Sequence, residues 1–327
     1  MRQLHFRALD LTAKYRVKRV QLHKAVFRKP MWVKHPTVIQ FDTQNICNAK
    51  CIYCNPHGTF IKNRAKLPLK TINNVLQYVK NKGWFINYVP AFMNGDPLLE
   101  PRLTTITQMI KSYLRAKVII FTNGIAYNNR HLLLDKNLDL VNFTVSAATA
   151  ETYKKVHGVD KFSDALKTIF WFKEHRKLHQ RIRLVYILCK ENFHELEVWK
   201  ELFSCFDQNI RPPFDGGEYK PQSRIAEGDK SFETYLRKAT QENYPTSLEF
   251  SLDTPCACWD SLNISFEGNI MQCMDLPYQF NWGNVDDVDI SEVWHKRNQL
   301  GLDHEACRQC KMKNPRWKEI FEKYVWN

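Results

Sequence analysis

The chain has 327 residues, 44% of them hydrophobic and 25% charged, with 48 Lys plus Arg against 34 Asp plus Glu for a formal charge of +14. These fractions exclude wholesale disorder, collagen-like and low-complexity architectures, and the length favours one large α/β unit with a smaller appendage over three independent domains. No run reaches the roughly 18 apolar residues that a membrane span needs, so a soluble, cytoplasmic protein is expected. Ten cysteines are too few for a disulfide scaffold and no apolar leader opens the chain, so clustered thiols read as metal ligands.

The charge is unevenly spread. Ten basic residues and one acid, Asp10, fall between Met1 and His35, which places nine of the 14 excess charges there. This basic extension, 1–35, also spaces Leu4, Ala8, Leu11, Tyr15, Leu22 and Val26 in near-helical fashion. It reads as a surface-packed amphipathic helix, or as a contact for a membrane surface, RNA or an acidic peptide.

A strand-like run, Thr37 to Asp42, follows. Helical pattern from Leu69 to Asn81 precedes an apolar run at 84–93, and a second helix, Arg102 to Leu114, precedes a strand at Lys117 to Phe121. A short helix near 129–135 then leads to a strand at Leu140 to Val145. A helix near 164–179 leads to a strand at Arg181 to Leu188, and a further helix spans His194 to Phe206. Short β-rich runs separated by helices are the pattern of βα units on a parallel sheet. Five units, with a sixth strand near Glu218 to Lys220, are too few for a closed eightfold barrel. The expected fold class is therefore α/β, an open partial βα barrel of about six parallel strands over 36–222. Its chemistry is expected at the carboxyl ends of the strands.

Proline and glycine cluster at 211–228 and mark a junction, followed by a linker at 223–254 and a smaller cysteine-rich α+β domain at 255–327. Within the latter, Leu262 to Cys273 reads as a hairpin turning at Glu267-Gly268-Asn269, and Ile290 to Leu300 as a helix opened by Ser291. Ile169 to Phe172 read as core rather than a nucleobase platform. His175, His179 and His194 read as surface residues.

Two cysteine groups carry the chemistry. Cys47, Cys51 and Cys54 form C-x-x-x-C-x-x-C directly after the first strand. Three thiolates on one loop can hold three irons of a cuboidal four-iron cluster and leave the fourth without a protein ligand. Zinc is the alternative for thiolates at this spacing, although His57 is the only histidine nearby in sequence. In the second group, Cys258 and Cys273 flank the hairpin in a C-x(9)-G-x(4)-C pattern, and Cys307 and Cys310 supply C-x-x-C. A hairpin folding back at Gly268 returns its two thiols to each other, and four thiolates suit zinc as well as a cluster.

The front loop, with Tyr53 as its aromatic position, resembles that of the radical S-adenosylmethionine (SAM) enzymes. Asn94-Gly95-Asp96-Pro97 is similar to the Gly-Gly-Glu-Pro segment of that family, differing at Asn94 and Asp96. Phe121-Thr-Asn123-Gly124 and Val145-Ser146 fall where the family places further strand-end contacts. Outside the resemblance, Asn123-Gly124 fits an ordinary turn and Ser146 a helix cap. The resemblance implies a four-iron four-sulfur cluster on Cys47, Cys51 and Cys54, SAM held on its open iron, and SAM contacts from Tyr53, Asn94, Gly95, Asp96, Asn123 and Ser146. It also implies a 5'-deoxyadenosyl radical that takes a hydrogen atom from a small-molecule or peptide substrate, and an external electron donor. The second group is similar to SPASM and twitch extensions. No cysteine follows Cys310, which points to the shorter form: one auxiliary cluster on Cys258, Cys273, Cys307 and Cys310, with Cys256 in surplus.

A cluster with four protein ligands has no corner for substrate and serves to accept an electron, so the implied net reaction is an oxidation of a peptide or sugar-like substrate. No side chain is assigned as a general base, and Glu218 to Lys220 are candidates to face the substrate. The rival reading is a zinc-stabilised nucleic-acid-binding protein, motivated by the charge and the two cysteine groups.

Overall fold

A computed structural model describes residues 35–54, 65–92, 94–189, 191–211, 261–273 and 280–300. Strand β1, Val38–Phe41, opens the fold. Helix α1, Leu69–Asn81, then precedes β2, Tyr88–Pro90; α2, Leu103–Tyr113, precedes β3, Lys117–Thr122; and a 3-10 segment, Tyr127–Leu134, precedes β4, Leu140–Thr144. Two helices, α3 (Ala150–His157) and α4 (Phe162–His175), lead to β5, Arg181–Ile187; α5, Leu196–Leu202, leads to β6, Asp207–Arg211. The C-terminal elements are β7 (Ser261–Ile264), β8 (Asn269–Met271), β9 (Asn281–Asn284) and α6 (Ile290–Leu300).

The strands form one sheet in the order β6-β5-β4-β3-β2-β1-β7-β8-β9. Strands β1 to β6 run parallel, as the alternation of strands and helices requires. Strand β7 adds itself parallel to β1, and β8 and β9 return antiparallel. The sheet has two outer strands and stays open, as expected of a partial barrel.

Alternation along each strand sorts the two faces. Ile39, Phe41, Val118, Ile120, Val141 and Phe143 are fully buried in one apolar core that also takes in the helix residues Ile72, Val75, Leu76, Ile106, Ile110 and Phe172. On α1 the buried positions Ile72, Val75, Leu76 and Val79 recur at three- and four-residue spacing, so one stripe of the helix meets this core. The opposite face, set by register, carries Gln40 beside Asn263, Asn142 beside Arg183, and Arg183 beside Asp207.

The C-terminal segment is stitched onto α1. Tyr78 donates its hydroxyl to Asp289 at 2.9 Å and accepts the Ser291 N–H at 3.0 Å, while Thr71 and Asn74 donate to the two oxygens of Asp286 at 3.1 and 3.0 Å. Buried Arg297 on α6 donates to the carbonyls of Ser261 at 2.6 Å and Gln272 at 3.2 Å, binding the helix to both arms of the β7–β8 hairpin.

Several expectations change. The sixth parallel strand is Asp207–Arg211, just past the helix expected to run to Phe206, and that helix is itself shortened to Leu196–Leu202. Glu218 to Lys220 and the 211–228 junction beyond Arg211 lie outside the described residues. Among the described residues of the 84–93 run, only Tyr88–Pro90 are strand. Helix α3 was not anticipated, and its cap is Thr149, whose side chain accepts from the Thr152 N–H, so Ser146 is not a helix cap. Asp289, not Ser291, opens α6 by accepting the Glu292 N–H at 2.9 Å. The hairpin turn is as expected, with Gly268 at φ 86°. Phe172 is core as expected, but its neighbour Phe170 is exposed. His175, His179 and His194 are exposed. Residues 1–34 lie outside the description. Among the described residues no helix is long and apolar enough to cross a membrane.

Candidate iron-sulfur and SAM site

The loop after β1 carries Cys47, Cys51 and Cys54 as free, half-buried thiols. The end of α3 holds it: the N–H groups of Lys50 and Ile52 donate to the carbonyls of His157 and Val156, each at 2.9 Å. A helix terminus leaves such carbonyls unpaired, and here the cysteine loop satisfies two of them. Close approach depends on Gly158, at φ 67°, where a Cβ would lie 2.5 Å from the Lys50 carbonyl oxygen.

Burial pushes the Cys47 thiol up to about 11, with Asp96 adding to it, and the Cys51 thiol up to about 12, with Cys47 adding to it. Cys54 is raised well above the usual range by burial and by the other two thiols. Ionising all three without a cation is costly, and the donor set therefore fits a positively charged iron centre. Among the described residues no three His, Cys, Asp or Glu side chains converge where a single metal ion could sit. Thiolates of a cuboidal cluster bind different irons and need not converge.

The loop after β2 comes next. Asn94 donates from its backbone to Asp42 Oδ1 at 3.1 Å and from its side chain to Oδ2 at 2.9 Å. Gly95, at φ 75°, lies against the cysteine loop: a Cβ there would be 2.7 Å from the Ile46 carbonyl oxygen. Asp96 is buried, and its carboxylate accepts from Leu98 N–H at 2.9 Å, Asn123 N–H at 2.8 Å and the Thr122 hydroxyl at 3.0 and 2.9 Å. Burial raises its pKa, and these hydrogen bonds oppose the rise. Asp96 thus braces the β2 loop against the end of β3. Asn123 extends the brace, donating to Asn48 Oδ1 at 2.8 Å and to Cys47 Sγ at 3.5 Å.

Ser146, buried beyond β4, accepts the Ile187 N–H at 3.0 Å and lies 3.4 Å from the Tyr53 hydroxyl. His157, which sequence reasoning missed, completes the group. Fully buried, it accepts the Ser146 N–H on Nε2 at 3.0 Å, and its Nδ1 lies 3.3 Å from Cys51 Sγ and 3.4 Å from Tyr53 Oη. Burial lowers its pKa to about 3, so the ring is neutral. More than 100 residues separate it from the cysteines, and no spacing rule could pair them; its position just before Gly158, at a helix end, was the only local signal.

The structure thus gathers Cys47, Cys51, Cys54, Tyr53, Asn94, Gly95, Asp96, Asn123 and Ser146 at the carboxyl ends of β1 to β4. Of the second group, Cys273 is buried just past β8, while Cys256, Cys258, Cys307 and Cys310 lie outside the described residues.

Two family models match the chain: the radical SAM superfamily over residues 42–203, and the SPASM iron-sulfur cluster-binding domain over 256–311. Together they take in well over half of the sequence, and the first spans every strand-end loop just described. The chain belongs to the radical SAM superfamily. With its SPASM domain, this radical SAM protein uses SAM and four-iron four-sulfur clusters. The resemblance read from the cysteine loop is therefore correct, and the zinc-stabilised nucleic-acid binder is set aside.

Curated relatives include a probable GTP 3',8-cyclase of Thermoplasma volcanium, 29% identical over 132 residues, and one of Saccharolobus islandicus, 31% identical over 126 residues. These matches cover 40% and 38% of this chain and only 39% and 40% of the relatives' length. Among solved structures, native anSMEcpe with bound AdoMet shares the fold at TM-score 0.61 and 14% identity, over 87% of this chain and 95% of that one. Streptococcus suis SuiB bound to S-adenosylmethionine shares it at TM-score 0.63 and 16% identity, over 90% and 75%.

Proposed function

We propose that this radical SAM protein is an oxidoreductase: it removes a hydrogen atom from a peptide or sugar-like substrate and passes the remaining electron to one auxiliary four-iron cluster on Cys258, Cys273, Cys307 and Cys310. Once held by Cys47, Cys51 and Cys54, a cluster with SAM would supply, on receiving one electron from an external donor, methionine and a 5'-deoxyadenosyl radical. In this reading Cys47, Cys51 and Cys54 hold the iron. The backbone of Asn94 and Gly95 faces the methionine end of SAM, because the Asp96 carboxylate is already engaged by Leu98, Thr122 and Asn123. Tyr53 and Ser146 border the nucleoside.

The observation that carries the oxidation is the set of four spaced cysteines within the SPASM match. Four thiolates leave no iron free for substrate. Loss of a hydrogen atom leaves one electron and one proton to depart; an oxidised cluster on these thiolates would take the electron, and the proton would pass to solvent.

Buried amides on the sheet face opposite the core are compatible with the substrate class. Asn263 is fully buried with neither end of its amide hydrogen-bonded, and buried Asn142 has an unused carbonyl oxygen. Amides pair with amides and hydroxyls through a donor and an acceptor at once. Solved SuiB also includes a complex with its precursor peptide SuiA.

A second reading comes from the curated relatives, whose name specifies cyclisation of GTP. A triphosphate calls for uncommitted cations. Lys117, Arg181 and Arg183 sit at the amino ends of β3 and β5, paired with Asp139 and Asp207, and do not offer it one. Anaerobic incubation with SAM, dithionite and deuterated peptides or polyols decides between the readings. Deuterium in 5'-deoxyadenosine and a product two hydrogens lighter are expected; an isomer of unchanged mass, or turnover of GTP alone, would sink the oxidoreductase reading.

A further inference from the structure

We propose that His157 is a positioning residue that donates a permanent Nδ1–H hydrogen bond to the Cys51 thiolate when that thiolate holds iron, and so raises the reduction potential of the SAM-site cluster. The inference rests on the reading that Cys47, Cys51 and Cys54 hold that cluster. Its starting point is the tautomer. A neutral imidazole carries one N–H, and the ring nitrogen that accepts a hydrogen bond cannot bear it. The Ser146 backbone N–H points at Nε2 at 3.0 Å. A main-chain amide cannot reverse its role, so Nε2 is the acceptor and the proton resides on Nδ1.

Nδ1 faces Cys51 Sγ at 3.3 Å, with Tyr53 Oη at 3.4 Å as the other neighbour. The ring has little freedom to turn away. Tyr153 stacks on it with centroids 4.1 Å apart and planes 15° from parallel, and Tyr53 packs edge-on at 5.8 Å. The same stretch of chain docks the loop, since the His157 carbonyl accepts the Lys50 N–H at 2.9 Å. Backbone and side chain of one residue therefore grip the cysteine loop at two points.

The consequence follows from where charge goes on reduction. An electron added to a cluster increases negative charge on its sulfurs, so a donor aimed at a ligand sulfur stabilises the reduced state more than the oxidised one. The donor is buried and uncharged. It adds no net charge beside SAM.

Two substitutions separate this role from simple packing. In His157→Asn the amide nitrogen lies the same number of bonds from the backbone as Nδ1, preserving the donor toward Cys51. In His157→Gln the amide oxygen reaches toward the Nε2 position, preserving the Ser146 contact and losing the donor. After anaerobic reconstitution, the midpoint potential is measured on the EPR signal that changes when SAM is added. That response and full iron content test the cluster reading by themselves. The Gln variant is expected at a more negative potential than the unaltered protein, and the Asn variant close to it. Equal potentials in all three, or an equal fall in both variants, would overturn the role. Should either variant fail to hold iron, unaltered protein labelled with 15N-histidine gives the answer: pulsed EPR of the SAM-responsive cluster is expected to show a histidine nitrogen coupling, and no coupling refutes the hydrogen bond.

Discussion

Three residues decide how the two halves of the site meet. Gly95 lets the β2 loop pass within contact of the cysteine loop, Asp96 ties that loop to β3, and Asn123 reaches from β3 to Cys47. Gly95→Ala places a methyl group 2.7 Å from a backbone oxygen in a left-handed conformation; the conformation alone costs about 1–2 kcal/mol and the clash adds to it. A lower melting temperature and iron loading well below that of the unaltered protein are expected, and normal loading would show that the two loops can separate without harm. Asp96→Ala leaves the buried N–H of Asn123 without its partner, a loss of about 1–3 kcal/mol in a denaturant titration. The family resemblance made Asp96 a candidate SAM contact, but it could not distinguish a brace from a ligand-facing carboxylate, because both put an acid after a strand. The partners Thr122 and Asn123 make the difference, and they are reached only by folding.

At the scale of elements, α3 organises the site from both ends. Its carboxyl end docks the cysteine loop, and its amino end is braced by Glu195, which accepts from the N–H groups of Ala148 and Thr149 at 2.7 and 3.2 Å and from the hydroxyls of Thr149 and Thr152 at 2.5 and 2.7 Å. Burial pushes the Glu195 carboxyl up, but these four donors outweigh it and leave the pKa below the usual value. Arg102 does the same for Glu100, and Lys111 for Asp139. A carboxyl depressed in the folded state stabilises fully above its unfolded pKa of about 4, and that contribution is lost as pH falls through the folded value. Unfolding monitored by circular dichroism should therefore show stability falling below about pH 4, with a shallower fall in Glu195→Gln. An unchanged acid limb in that variant would remove Glu195 from the account. Helix α3 was illegible beforehand because eight residues, four of them buried, offer too few turns for periodicity to register. Strand β6 escaped for a related reason: Asp207-Gln-Asn-Ile-Arg211 sits at the sheet edge and has a single apolar residue, Ile210. The long helices α1 and α2 and the strands β3 to β5 are covered on one face by the core, and their patterns were plain.

For the whole molecule, the order of strands matters more than the boundary between family models. Sequence reasoning separated a barrel from a later cysteine-rich unit because proline and glycine interrupt the chain between them. Hydrogen bonding runs across that division. Strand β7 pairs with β1 over its full length, and the N–H of Asp42, just past β1, donates to the Ile264 carbonyl at 2.8 Å. Asp42 in turn holds Asn94, so the C-terminal hairpin supports the loop proposed to face SAM. A chain ending at residue 254 would leave β1 as an edge strand, paired only with β2, and would strip cover from the side of the core that Leu262 and Ile264 close. Such a truncation is expected to aggregate, or to melt well below the full chain and hold little iron. In contrast, replacing Cys258, Cys307 and Cys310 together with alanine keeps β7 in place; it should retain a cooperative melt and about four irons of the roughly eight that two four-iron clusters contain. A truncated chain that folds cooperatively with a full front cluster would show that the barrel is autonomous and that the β1–β7 pairing merely joins two independent units.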